Sequence, residues 1–244
     1  MTDDLERFGK WMYEFDLGNG VKTPLYLESL RQVHRARQEM IFDFLDGLRF
    51  DYGSADVLDV GCNEGYFLFE MLKRGARSGL GIEGRAENIA KARFIEQKLG
   101  IERCELRQAD VFDVDLGSER YDLVLLLGLI YHVEDPIGLI RRAARASRRF
   151  LFLETQLCKS DHPIEFGWGI PDEYHSAEAY LVLHEEGADN PLASMGGLSM
   201  IPNLAAVTMM MRQCGFRDVV RLRAGSVRET QYDRGDRAVF VGVK

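Results

Sequence analysis

The chain has 244 residues, with 31 basic and 39 acidic side chains for a net charge of −8, and 46% of it is hydrophobic. That balance excludes disordered and fibrous chains, and the length allows one large α/β domain with an appendage that needs no disulfide or metal staple. No apolar run approaches the roughly 18 residues of a membrane span, and the excess of acid disfavours nucleic-acid binding through net charge. The opening stretch MTDDLERFGK is acidic and polar, unlike a signal or transit peptide. Cys62, Cys104, Cys158 and Cys214 form no CxxC pair, as expected of reduced thiols in a cytoplasmic protein.

Trp11, Tyr13, Phe15 and Leu17 alternate up to Gly18-Asn19-Gly20, which predicts a hairpin turn. Over residues 26–48 the period changes: Leu27, Leu30, Val33, Met40, Ile41, Phe44, Leu45 and Leu48 predict one amphipathic helix, with Arg31, His34, Arg35 and Arg37 on its polar face. Residues 1–50 are therefore expected to cap a domain spanning 51–244. In that domain strands 57–60, 78–84, 104–110, 121–128 and 148–155 alternate with helices 65–75, 87–100 and 135–147, the last opened by Pro136. Such a succession implies a parallel, doubly wound sheet with right-handed crossovers. Residues 156–200 keep no period and are rich in glycine and proline, which predicts an insertion lid. A helix from Pro202 to Gly215 and strands 217–224 and 237–244, an antiparallel pair, complete the chain.

The strongest local signal is VLDVGCNEGYF, a strand, a tight turn and a helix. Gly61 and Gly65 let backbone approach a ligand closely, and the helix start offers free N–H groups. Asn63 tolerates the positive φ that such a turn needs. Glu83 ends the second strand, the place of an acid that accepts from a ribose diol. A dinucleotide site presents G-x-G-x-x-G to a pyrophosphate, whereas Asp59 here puts a carboxylate two residues before the first glycine. That suits a ligand with an ammonium and a sulfonium, S-adenosylmethionine, with S-adenosylhomocysteine as product. Asp110, after the third strand, is placed to accept from the adenine amino group. A short-chain dehydrogenase needs Tyr-x-x-x-Lys, and none of the nine tyrosines is followed four residues on by lysine.

At these residues the chain resembles a class I S-adenosylmethionine-dependent methyltransferase. GLIYHVEDP, FLETQL and IPNLAAVTMMMRQCGF are further similar to the tRNA wobble-uridine methyltransferase-like family of the 5-oxyacetic acid pathway. The resemblance implies a Rossmann-like, seven-stranded, mostly parallel sheet with helices on both faces. It implies that Val111 beside Asp110, and Leu127 and Gly128 after the fourth strand, line the cofactor. One branch of that family transfers a carboxymethyl group and holds its carboxylate with a lysine, a tyrosine and an arginine. Tyr131 and Arg237 match the last two, whereas Met12-Tyr13-Glu14 stands where the lysine belongs.

Methyl transfer to a hydroxyl is helped by a general base. His132, shortly after Gly128, is the candidate, with Tyr131 beside it. Glu154 at the end of the fifth strand and Trp168 in the insertion are candidates for binding the acceptor, as is Arg237. His162, His175 and His184 lack a diagnostic ligand spacing, so no metal is expected. Arg141, Arg142, Arg145, Arg148 and Arg149 suit a solvated helix face, or with Arg31, Arg35 and Arg37 a patch for RNA phosphates. The reading is methyl transfer to a heteroatom, oxygen first, of a small-molecule acceptor. The alternatives are a methyl or carboxymethyl transferase acting on the tRNA wobble uridine, and a non-catalytic protein that binds the cofactor.

Overall fold

The apolar runs become the strands of a seven-stranded sheet, and the segments between them become helices on its two faces. In chain order the elements are α1 (Leu30–Gly47), β1 (Asp56–Val60), α2 (Tyr66–Lys73), β2 (Ser78–Glu83), α3 (Ala86–Leu99), β3 (Cys104–Gln108), β4 (Tyr121–Leu127), α4 (Pro136–Ala146) and β5 (Ser147–Gln156). They continue with β6 (Ile164–Glu165), β7 (Ser176–Ala177), β8 (Leu181–Glu185), β9 (Leu198–Pro202), α5 (Leu204–Gln213), β10 (Asp218–Leu222), α6 (Thr230–Arg234) and β11 (Arg237–Val243). The computed structural model describes residues 5–117, 120–159, 164–165, 176–177, 179–185 and 197–244.

The sheet order is β3-β2-β1-β4-β5-β11-β10, and β11 runs antiparallel to both of its neighbours. Connections run one way from β1 to β3 and the other way from β4 onward. The crevice between the carboxyl ends of β1 and β4 is therefore where this architecture receives a ligand. All seven residues of β4 are buried, as its unbroken apolar run requires of a strand covered on both faces. One core layer joins Trp11, Ile41, Leu45, Phe69 and Phe152; the other joins Leu58, Leu126, Ile140, Val207 and Phe240. The N-terminal segment thus shares the first core layer with the sheet.

That segment is pinned by one carboxylate. Glu64, in the glycine turn and 1% exposed, accepts from the backbone N–H groups of Met12 and Tyr13, both at 3.0 Å. Lys91 lies 3.5 Å from the same carboxylate and donates to Lys10 O. Trp11, with no exposed surface, is bracketed by Phe8, Phe15 and Phe94. The N-terminal segment is therefore tied to the glycine turn after β1.

Several boundaries differ from expectation. Gly18, Asn19 and Gly20 do take positive φ, but the flanking residues form only the isolated bridges Asp16–Lys22 and Trp11–Leu25 rather than a hairpin ladder. The long helix starts at Leu30, four residues late, because Leu27 and Glu28 close turns onto Leu30 and Arg31. Pro202 ends β9, and Asn203 caps α5 by accepting from Ala206 N–H. Helix α4 ends at Ala146, so Arg148 and Arg149 belong to strand β5 and share no helix face with Arg141. The segment expected to be without structure contains the antiparallel pair β8–β9. Among the described residues no helix is long and apolar enough to cross a membrane.

Glu64→Ala would leave Lys91 without its buried counter-charge and two N–H groups without an acceptor. A loss of about 3 kcal/mol is expected, read as a lower thermal midpoint together with faster proteolysis before residue 26.

Candidate active site

The turn after β1 is shaped by three positive φ values, at Gly61 (+73°), Asn63 (+52°) and Gly65 (+82°). A Cβ on Gly61 would stand 2.7 Å from Leu129 Cδ2, and one on Gly65 would stand 2.6 Å from Phe69 Cζ. Only glycine meets both demands of strain and space there. Gly65 caps α2, so the free N–H groups of that helix open toward the turn.

Glu83, the last residue of β2, holds the turn from the other side. Its Oε2 accepts from Asn63 N–H at 3.0 Å and its Oε1 from Arg85 N–H at 2.8 Å. Each carboxylate oxygen keeps a second lone pair for a ligand hydroxyl. Beside it runs a cleft of about 370 Å3 lined by Gly61, Glu83, Asp110, Val111, Leu129 and His132, among others. Asp110 lies two residues beyond β3, exposed, and its Oδ1 accepts from Phe112 N–H at 2.8 Å.

Asp59 lies under the turn rather than on the cleft wall. It is 4% exposed, and Leu68 N–H in the first turn of α2 donates to it. Burial, partly offset by that N–H and aided by the nearby Glu83 charge, pushes its carboxyl up to about 7. Asp59 therefore complements the start of α2 and adds negative potential to the turn. A pyrophosphate would meet two acids here. A cationic sulfur nucleoside would meet favourable charge, and Asn63 Oδ1 is buried and without a hydrogen-bond partner among the described residues.

A second chamber of about 140 Å3 adjoins the cleft. Gly61, Glu83, Leu129 and His132 line both spaces; Asn63, Leu127, Gly128, Tyr131 and Arg237 line the chamber, and Met12, Tyr13, His34 and Arg37 close it from the cap. Gly128 takes φ +76°, which turns the chain from β4 into the short 3₁₀ turn Ile130–His132 and carries Tyr131 and His132 inward. Their rings lie 4.2 Å apart.

Glu154 does not reach the acceptor space as expected. It has no exposed surface; Arg37 Nη2 lies 2.9 Å from Oε2 as an ion pair without hydrogen-bond geometry, while Arg237 Nη1 at 3.0 Å and Tyr232 OH at 3.1 Å donate to Oε1. Burial alone would raise this carboxyl; the Arg37 and Arg237 guanidiniums outweigh it and hold Glu154 below the usual range. Arg237 Nη1 also donates to Tyr131 OH at 3.1 Å, so the phenol proton is free to point at a ligand. Burial, with Glu154 nearby, raises the Tyr131 phenol and keeps it protonated.

Arg37 and His34, expected on the polar face of the helix, line the chamber instead. Burial, with the Arg37 and Arg237 charges, holds His34 well below the usual histidine range, hence neutral. The signal was present: Arg37 follows Val33 and precedes Met40 and Ile41 at the steps of the apolar stripe. Of the arginines weighed as a solvated face or, alternatively, as a patch for RNA phosphates, Arg141, Arg145, Arg148 and Arg149 are exposed. Arg37 is buried, Arg31 pairs with Glu14 and Glu28, and Arg142 donates to Val114 O. Trp168, His162 and His175 lie outside the described residues, and His184 is exposed on β8. Among the described residues no group of three His, Cys, Asp or Glu could hold a metal ion.

Comparison with known proteins agrees with this geometry. Residues 53–164 match the family model of a methyltransferase domain. A tRNA U34 carboxymethyltransferase of Desulfotalea psychrophila is 28% identical over 165 residues, 67% of this chain and 45% of that protein. The namesake of Campylobacter hominis is 29% identical over 125 residues, 47% of this chain and 40% of that protein. The chain thus spans less than half the length of these curated relatives. Among solved structures, the N-terminal domain of EvdMO1, determined in the presence of SAH and D-fucose, superposes with a TM-score of 0.71 at 25% identity, covering 99% of this chain and 94% of that one. An S-adenosylmethionine-dependent methyltransferase from Mesorhizobium loti shares the fold, with a TM-score of 0.59 at 18% identity over 83% of this chain and 97% of that one.

Two measurements test the turn. Glu83→Ala is expected to weaken S-adenosylhomocysteine binding about ten-fold or more in calorimetry. Asp59, whose folded pKa lies above its unfolded value, costs stability as pH rises from about 4 to about 7. Asp59→Asn should lack that decline, so its thermal midpoint should exceed that of the wild type at neutral pH and above.

Proposed function

We propose that the chain, whose residues 53–164 match the family model of a methyltransferase domain, transfers a methyl group from S-adenosylmethionine to a hydroxyl oxygen of a small, sugar-like acceptor. The observation that carries this reading is the chamber beside the cleft, lined by Arg37, Tyr131 and Arg237, with His132 on the wall common to both. When bound, the cofactor supplies an electrophilic methyl on a sulfonium, so the chain need only align, desolvate and take a proton.

Glu83 holds the ribose and Asp110 the adenine amino group, while Val111 packs against the base. Gly61, Asn63, Leu127 and Gly128 contribute the close backbone surface around the remainder. In the chamber, Tyr131 and Arg237 donate to acceptor oxygens, and Glu154 fixes Arg237 from behind. A ring nitrogen of His132 takes the proton that the acceptor hydroxyl gives up as its oxygen is methylated. The cap residues Met12, Tyr13 and Leu30 exclude water. The structural neighbour determined in the presence of SAH and D-fucose aligns over nearly the whole chain, which favours a sugar.

The curated relatives favour a second reading, modification of the tRNA wobble uridine. It is supported by Tyr131 and Arg237, which stand together as that family's carboxylate-holding pair would, and opposed by the net charge of −8. Incubation with S-adenosylmethionine and either 6-deoxyhexoses or bulk tRNA, followed by mass spectrometry of the acceptor, separates the two. A methylated sugar supports the first; a modified uridine overturns it. His132→Ala is expected to lower kcat about a hundred-fold or more, with S-adenosylhomocysteine affinity changed less than about three-fold.

A further inference from the structure

A third feature of the molecule takes no part in methyl transfer as described. Between the end of β10, the loop 223–228, α6 and the start of β11 lies a cavity of about 400 Å3. Five arginines line it, Arg221, Arg223, Arg228, Arg234 and Arg237. Among the described residues the only carboxylate on its wall is Asp233, 3.2 Å from Arg228. Arg237 is matched by Glu154 from the opposite side. The side chains of Arg221, Arg223 and Arg234 have no hydrogen-bond or carboxylate partner among the described residues.

Unmatched guanidiniums side by side repel one another. Burial together with the Arg223 charge lowers the Arg221 pKa, the signature of a cation held without its counter-ion. Arg31, Arg77 and Arg107 have carboxylate partners in Glu14, Asp56 and Glu105. Arg221, Arg223 and Arg234 instead border one cavity. Guanidinium forks bind phosphate oxygens two at a time, and several forks around one space suit a group with more oxygens and charge than a carboxylate. Arg237 borders both this cavity and the chamber.

We propose that this cavity is a phosphate subsite, and that the acceptor is a small molecule bearing a phosphate or diphosphate ester whose charged end sits among Arg221, Arg223 and Arg234. The assignment of the acceptor rests on the small-molecule reading above; the phosphate subsite does not. The hydroxyl to be methylated lies in the chamber and the ester lies beyond Arg237.

Calorimetry with inorganic pyrophosphate, on the full chain saturated with S-adenosylhomocysteine, tests the subsite. The doubly substituted Arg221→Gln, Arg223→Gln chain is expected to bind pyrophosphate about ten-fold or more weakly. The same variant should keep its S-adenosylhomocysteine affinity, which shows that it is folded, and its thermal midpoint should not fall, since a repulsion has been removed. No binding to the wild type, or equal binding to both proteins, overturns the subsite whatever becomes of methyl transfer. For the acceptor, a nucleoside diphosphate sugar should show a KM about ten-fold or more below that of the free sugar, and the advantage should vanish in the variant. Equal KM values overturn that half alone. Displacement of pyrophosphate by tRNA at lower concentration than by the diphosphate ester overturns it in favour of an RNA backbone.

Discussion

A single carboxylate without exposed surface, Glu154, gathers two guanidiniums and two phenols from four different parts of the chain. Arg37 comes from α1, Tyr131 from the turn after β4, Tyr232 from α6 and Arg237 from the start of β11. Taking three charges out of water is expensive, and the arrangement persists because the oxygens of Glu154 are matched and Tyr232 links Arg37 to Glu154. Removing one member leaves an uncompensated charge, which costs more than the group was contributing. The cluster therefore fixes where the cap sits over the sheet, and with it the size and lining of the chamber. It carries one positive charge in excess, on the wall of the chamber.

The site is electrically divided as a result. At the tip of β2, Glu83 makes the cleft side negative, and Asp59 adds to this where it is ionised, a charge that suits a cationic ligand better than a pyrophosphate. Arg37 from α1 and Arg237 from the start of β11 make the chamber side positive. His132 stands at the boundary, on the wall of both spaces. The sheet topology produces this division, since the strand order reverses between β1 and β4 and the two halves of the crevice draw their side chains from opposite halves of the fold.

Much of the nucleoside side was legible in the sequence because it is built locally. The D-x-G-x-N-x-G run fixes its own backbone, and Glu83 and Asp110 follow from counting strands. The acceptor side was not, because its chemistry arises from contacts distant in sequence: Arg37 meets Glu154 across 117 positions and Tyr232 across 195. Reading Arg37 as solvated weighed its residue type above its place in the apolar stripe of α1. Reading Glu154 as a ligand for the acceptor followed from its position at a strand end, where a free carboxylate would indeed face the crevice. Two arginines reach it first. Arg148 and Arg149 were read as helical because the basic run hid a junction in which β5 begins directly at Ser147.

The most direct measurement is a crystal structure with S-adenosylhomocysteine and a 6-deoxyhexose bound together. The account requires the ribose hydroxyls on Glu83, the sulfur at the boundary beside His132, and the sugar in the chamber with one hydroxyl facing that sulfur. A nucleoside bound away from the glycine turn, or a chamber closed to the sugar while the sugar lies elsewhere, would contradict it.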